Sequence, residues 1–224
     1  MTEVTIRNRE ILDILEYVRS SIYDSKIVDQ ESTKSYLACY PEEARHNPTK
    51  FLSEDFLKKH MNDEKHMGFP VEHTSIPVES YMKNSKDTLV KDVYEYVRGQ
   101  MVTDMGANAN AVFLYYPPGG FVGWHNNSNN SGIQFIFTYS EGGDGYFQYY
   151  DKQKQEIVVT HDSPGWRCHY HHFGKDEPDH CWHSAYTNEP RITVCVLFRW
   201  WDKPEFEQQI RDMAMDLAEE IQEE

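Results

Sequence analysis

Apolar residues along the first third of the chain recur at helical spacing. Ile11, Ile14, Leu15, Val18 and Ile22 stand three and four apart, one stripe of an amphipathic helix expected over residues 8–22. Residues 23–50 are polar and show no clean period; Ser53 then offers an N-cap for a short helix through Phe56 and Leu57. A third helix is expected over 86–104, where Leu89, Val93, Val97 and Met101 recur every fourth residue beside Val90, until Gly106 and an Asn-rich stretch stop it. From 111 onward the pattern changes to short aromatic and β-branched runs, broken by turn signals at 117–120, Gly142-Gly143, Pro164-Gly165 and Glu189-Pro190. Ala111–Tyr116, Ile133–Tyr139, Tyr146–Tyr150, Ile157–Thr160, Arg167–Phe173 and Arg191–Trp200 read as strands, a density that fits a sandwich or barrel. Pro204 then opens a helix over 204–222 that sets Ile210, Met213, Leu217 and Ile221 on one face.

No repeat, low-complexity tract or linker divides this pattern, so one domain is expected over 1–224: helical support in 1–110, a mainly β core in 111–200 and a C-terminal helix in 201–224. The net charge of −15 changes the list of partners, because such a field repels phosphate backbones and anionic membrane surfaces. Nucleic acid is therefore a disfavoured partner. Cys39, Cys168, Cys181 and Cys195 form no CxxC pair, and no apolar leader precedes the first charged residues, so a reduced, cytoplasmic setting is expected. No apolar run approaches the roughly 18–20 residues needed to cross a bilayer, so membrane insertion is not expected.

A mononuclear iron centre that activates oxygen takes few protein ligands, since positions must stay open for a cosubstrate and for O2. Two imidazoles and one oxygen donor on one face meet that need. The chain runs Tyr116-Pro-Pro-Gly-Gly-Phe-Val-Gly-Trp-His125-Asn126-Asn127, and later Cys181-Trp-His183-Ser-Ala-Tyr-Thr-Asn-Glu-Pro-Arg191-Ile-Thr193. Over 111–200 it resembles the Fe(II)/2-oxoglutarate-dependent oxygenase superfamily, in its prolyl-hydroxylase-like branch, and Glu141-Gly-Gly-Asp-Gly-Tyr-Phe147 is similar to the Gly-Gly turn of that family.

The resemblance implies an α+β, mainly β fold: a double-stranded β-helix, the jelly-roll core shared with cupins, braced by the flanking helices. It implies that His125 and His183 bind iron, with residue 127 as third ligand, and that Arg191 pairs with the distal carboxylate of 2-oxoglutarate. Thr193, two residues along the same strand, faces the same side as Arg191, and a guanidinium beside a hydroxyl suits a carboxylate. Tyr116 is placed to add a phenolic hydrogen bond, and Thr138 is a further inward candidate if its strand alternates with Gln134 and Ile136. The implied reaction is oxidative decarboxylation of 2-oxoglutarate to succinate and CO2, coupled to hydroxylation of a protein, peptide or amino-acid substrate.

Asn127 departs from the family, whose hydroxylating members carry Asp or Glu there. Three outcomes stay open: the amide oxygen completes the triad with weaker iron affinity, the position is left to another ligand as in halogenating relatives, or catalysis is lost and the chain is a cupin-like binding protein. Oxidation of a nucleobase by the same centre is a further alternative. The other histidines read more plainly. His169 and His171 share one strand face while His172 opposes them, so the three cannot converge on a metal without a bulge, although one could line the substrate pocket. His180 rivals His183 as the distal ligand, but Trp182-His-Ser-Ala is the context that resembles the family. Trp124, Trp166, Trp182, Trp200 and Trp201 read as core and rim packing rather than a base-stacking platform. The Gly142-Gly143 turn lacks the lysine and helix of a phosphate loop. The acidic tip Glu219-Glu220 and Glu223-Glu224 sits at the unfavourable end of a helix dipole and is expected to fray.

Overall fold

The computed structural model describes residues 1–62, 68–174, 180–200 and 203–223. Trp201 and Glu224, both read from the sequence above, lie outside them.

Among the described residues ten strands form two antiparallel sheets. In chain order they are β1 (Thr2–Val4), β2 (Ile76–Pro77), β3 (Ala109–Tyr116), β4 (Phe121–His125), β5 (Gly132–Ser140), β6 (Gly145–Asp151), β7 (Glu156–His161), β8 (Gly165–Phe173), β9 (His183–Thr187) and β10 (Arg191–Phe198). One sheet has the order β1-β8-β5-β10-β3-β2 and the other β4-β9-β6-β7. From β3 to β10 the chain alternates between the two sheets, apart from the β6–β7 hairpin, which gives the double-stranded β-helix. All six strands expected from composition form, with bounds shifted by at most two residues. Four further strands form as well: β1, β2, β4 and β9.

Period-2 geometry explains the larger sheet. Along β5, Gln134, Ile136 and Thr138 face the other sheet, as anticipated for Thr138, whereas Phe135 and Phe137 face the helices. The same alternation sets Arg191, Thr193 and Cys195 of β10 inward and Ile192, Val194 and Val196 outward. Both faces are buried, so these strands read as nearly continuous apolar runs.

The outer face packs on α1 (Arg9–Tyr23), whose buried stripe is Ile11, Leu15, Val18 and Ile22, with Asn8 capping its start by accepting from the Glu10 and Ile11 amides. Residues 26–51 hold a 3₁₀ turn and three short helices, α2 (Gln30–Leu37), α3 (Glu42–His46) and α4 (Pro48–Phe51). None exceeds eight residues, too short for a period to be read. Ser53 caps α5 (Glu54–Met61) by accepting from the Phe56 amide, as expected. After α6 (Val78–Asn84), α7 (Thr88–Tyr96) runs into a π-turn over Val97–Met101 and then α8 (Val102–Asp104). A repeat of four is longer than the α-helical 3.6, and the wider π-turn keeps Val97 and Met101 on the buried side. Leu89 departs from its expected place in that stripe: it is exposed, and Val90, Val93 and Tyr94 carry the contact.

The last helix, α9 (Glu207–Glu220), follows a 3₁₀ turn at Pro204–Phe206. Its buried face is Ala214, Leu217, Ala218 and Ile221. Met213, expected on that face, is exposed, because the two alanines let the helix approach the core along their own edge. All four cysteines are free, Cys39 exposed and the other three buried. No helix among the described residues is long and apolar enough to cross a membrane.

Candidate active site

His125 closes β4 and His183 opens β9, and the register of these strands pairs the two residues directly. A bulge between Val122 and His125 re-aims the histidine, and a Cβ on Gly123 within it would come 2.9 Å from the Glu72 carbonyl oxygen. That close approach lets the 68–74 segment bond along the outer edge of β4, where the Gly123 amide donates to Glu72 O at 2.8 Å and the Gly68 amide to Asn126 O at 3.0 Å. The two imidazole rings lie with centroids 4.1 Å apart at 51°.

Each ring is oriented by the same bond. His125 Nδ1 donates to Gly123 O and His183 Nδ1 to Cys181 O, both at 2.9 Å and both two residues upstream. A carbonyl can only accept, so Nδ1 carries the hydrogen in each ring; in a neutral ring so oriented Nε2 keeps the lone pair, the form a metal-binding imidazole needs. Phe147 stacks on His183 at 5.5 Å, Phe173 meets it edge-on at 5.1 Å, and Phe69 meets His125 edge-on at 5.6 Å. Burial pushes the His183 ring down to about 4, so it is neutral at neutral pH.

Asn127 lies just past β4, outside extended conformation, and its amide nitrogen is 3.4 Å from His183 Nε2. Gln134 Oε1 stands 3.5 Å from the same nitrogen and accepts from Cys195 Sγ at 3.4 Å, while Gln134 Nε2 donates to Asn130 O at 2.8 Å. Two imidazole lone pairs and an amide that can turn its oxygen inward fit a single divalent metal with open positions. Apart from this amide-containing set, no group of three His, Cys, Asp or Glu among the described residues could hold a metal ion. The histidines of β8 do not converge: His169 lines a separate inner chamber, His171 packs edge-on to Phe173, and His172 points the other way and stacks on Trp200.

His125, Asn127 and His183 share a cavity of about 40 Å³ with Tyr116, Arg191 and Thr193, its apolar wall including Val112, Leu114, Val122, Ile136, Phe147 and Ala185. At its far end Arg191 Nη1 donates to Thr193 Oγ1 at 3.2 Å, and the Tyr116 ring lies 5.2 Å from the guanidinium carbon. Burial raises the Tyr116 phenol, against the pull of Arg191 and Thr193. Thr138 sits across from Thr193 in the β5–β10 register but lines the chamber beyond Arg191, with Asp162, Arg167 and His169.

Sequence reasoning missed Asp162. Its carboxylate accepts from Arg191 Nε at 2.9 Å, and Nη2 lies 3.5 Å from its second oxygen. The two side chains are 2% and 6% exposed. Asp162 stands in an Asp-Ser-Pro-Gly turn, where the residue type reads as turn chemistry, so no local signal tied it to an arginine 29 positions away. The Gly-Gly turn is also explained: Glu189 fills it, accepting from the Gly142 amide at 2.8 Å, the Asp144 amide at 3.0 Å and the Ser140 hydroxyl. Burial raises the Glu189 carboxyl, and these bonds outweigh it, leaving the group below its ordinary range.

No protein-family model matches the sequence, and no curated protein does. Among solved structures, a prolyl-4-hydroxylase from Pseudomonas putida is similar over 49% of this chain and 62% of its own, at 16% identity and a TM-score of 0.34. The ribosomal oxygenase YcfD from Escherichia coli is similar over 52% of this chain and 30% of its own, at 19% identity and 0.31. The CENP-C cupin domain from Drosophila melanogaster is similar over 38% and 57%, at 7% identity and 0.27. This chain thus spans less than two thirds of each. At such scores the likeness carries nothing about chemistry, which rests on the side chains above.

Proposed function

We propose that this chain is an Fe(II)- and 2-oxoglutarate-dependent oxygenase that hydroxylates a protein, peptide or amino-acid substrate. The observation that carries the reading is the matched orientation of His125 and His183, each locked by its own upstream carbonyl with Nε2 aimed into one cavity that ends at Arg191. The iron and cosubstrate, when bound, supply oxygen activation and the oxidising equivalents, with succinate and CO2 as co-products.

The chain's own part is to hold, orient and exclude water. His125, His183 and the Asn127 amide oxygen would hold the metal. Arg191, Thr193 and Tyr116 offer hydrogen bonds to the distal carboxylate of the cosubstrate. Val112, Leu114, Val122, Ile136 and Ala185 keep the cavity apolar, which strengthens each polar contact inside it. A groove of about 370 Å³ adjoins the cavity, shares Phe69, Val112, Leu114 and Asn127 with it, and continues past Asn110, Asn129 and Asn130 to Tyr94, Glu79 and Arg98. A substrate lying there brings one C–H bond to the metal side, and the amide-rich wall suits a peptide-like chain.

Anaerobic titration with Fe(II) and 2-oxoglutarate tests the reading. A weak visible charge-transfer band and succinate release in air are expected. Absence of both in folded protein would favour a binding module, the reading that the neutral Asn127 supports.

A further inference from the structure

Arg191 and Asp162 form the one ion pair among the described residues in which both side chains are under a tenth exposed; the other pairs lie at the surface. Charges withdrawn from water must be balanced locally, so a buried carboxylate in a ligand pocket fixes how much charge a ligand can bring. The metal end of this pocket holds two imidazoles and an amide, and none of the three is a carboxylate. Among the described residues the carboxylate on the guanidinium is that of Asp162, which lines the chamber beyond Arg191. Arg167, which lines the same chamber as Asp162, is matched by Glu3; a divalent metal and Arg191 then bring three positive charges, Asp162 one negative, and one dianionic ligand neutralises the remainder.

We propose that Asp162 carries the counter-charge that position 127 lacks, and that these two residues together set the pocket to accept one dianion alongside a divalent metal. This rests on the oxygenase reading, in which that dianion is 2-oxoglutarate. Asp162 takes the Nε side of Arg191, and Thr193 takes one hydrogen of Nη1. The remaining edge of the guanidinium receives the ligand carboxylate, which then shares the arginine with Asp162. Like charges on one guanidinium repel, so Asp162 tempers ligand affinity. A carboxylate at 127 would temper it again from the metal side.

The test is calorimetric titration of the full chain loaded with Co(II), a redox-silent stand-in for iron, using 2-oxoglutarate and the monoanion pyruvate. Asp162→Asn is expected to bind 2-oxoglutarate about tenfold or more tightly than the native chain, with pyruvate little changed because it does not reach Arg191. Asn127→Asp is expected to bind Co(II) more tightly and 2-oxoglutarate about tenfold or more weakly, and the double variant to return to within about threefold of native affinity. Should Asp162→Asn leave Arg191 too exposed to its own charge for stable folding, its melting temperature will rise with added 2-oxoglutarate, and Asp162→Glu, which keeps the charge, will bind 2-oxoglutarate within about threefold of native. Equal or weaker binding by folded Asp162→Asn, or a double variant that stays as weak as Asn127→Asp, overturns the proposal while native binding upholds the oxygenase reading. If native and variant chains all take Co(II) and none takes 2-oxoglutarate, both the cosubstrate reading and the proposal fall.

Discussion

The two sheets divide the labour of this molecule. The six-stranded sheet is backed by α1, α7, α9 and the largest apolar cluster, and it carries Tyr116, Arg191 and Thr193 of the cavity. The four-stranded sheet is backed by a small cluster of Ala44, Phe51, Leu52, Phe56, Leu57, Phe121, Trp124 and Trp182, and it carries both metal-side histidines. The bulk of the apolar packing and the paired histidines therefore sit on opposite sides of the gap between the sheets, and substitutions on each side measure how cleanly they separate.

The largest expected effect is chemical. His183→Ala removes one of two imidazole donors, so Co(II) affinity should fall beyond the roughly 10- to 100-fold that outer partners of a metal site cost, with the melting temperature of the metal-free chain lowered only modestly. Titration and thermal melts of the same preparation check both halves. Retained affinity would break the assignment of the four-stranded sheet as the metal side.

On the other side of the gap, Leu15→Ala empties a fully buried site under the six-stranded sheet and should cost about 2–5 kcal/mol by denaturant unfolding. Co(II) affinity of the folded fraction should be unchanged, since no metal-side residue touches α1. A coupled loss of both would show that the sheets do not act separately.

The same division explains what was legible beforehand. β5 and β10 of the six-stranded sheet are long and buried on both faces, so Ile133–Tyr139 and Arg191–Trp200 stood out as unbroken β-branched and aromatic runs. β4 and β9 carry Gly123, Ser184 and the histidines themselves where an apolar residue would mark a strand, so the elements that hold His125 and His183 were the ones composition did not reveal. The two histidines were singled out through motif resemblance instead. Asp162 escaped both routes, because its meaning comes from β10 folding back beside it. β1 and β2, of three and two residues, are too short to carry any pattern.

Acid separates the regions by a different lever. His73 lies on the segment along β4, buried, with Nδ1 3.1 Å from Ser75 O, and burial lowers its ring from 6.5 to about 4. The folded state favours the neutral ring, so the unfolded chain binds more protons between these values. Its contribution is whole above pH 6.5 and is lost as pH falls toward 4, on the order of 3 kcal/mol. His73→Gln should flatten the fall in stability across that window, measured by urea unfolding at stepped pH; an unchanged slope would place the acid sensitivity elsewhere.

The smallest effect is the sharpest probe of the comparison. Ser53 accepts from the Phe56 amide at 3.2 Å and caps α5, whose Phe56 and Leu57 lie in the cluster behind β4 and β9. Ser53→Ala leaves that amide without its acceptor and should cost about 1 kcal/mol. An equal loss anywhere behind the six-stranded sheet would leave the metal side untouched. Here the frayed helix end loosens the support of Trp124, whose Nε1 donates to Leu52 O at 3.0 Å and whose neighbour in sequence is His125. A small drop in Co(II) affinity should therefore accompany the small drop in stability. Stability falling alone would mean that β4 is held by its partners in the sheet and by the 68–74 segment, and that α5 only covers it.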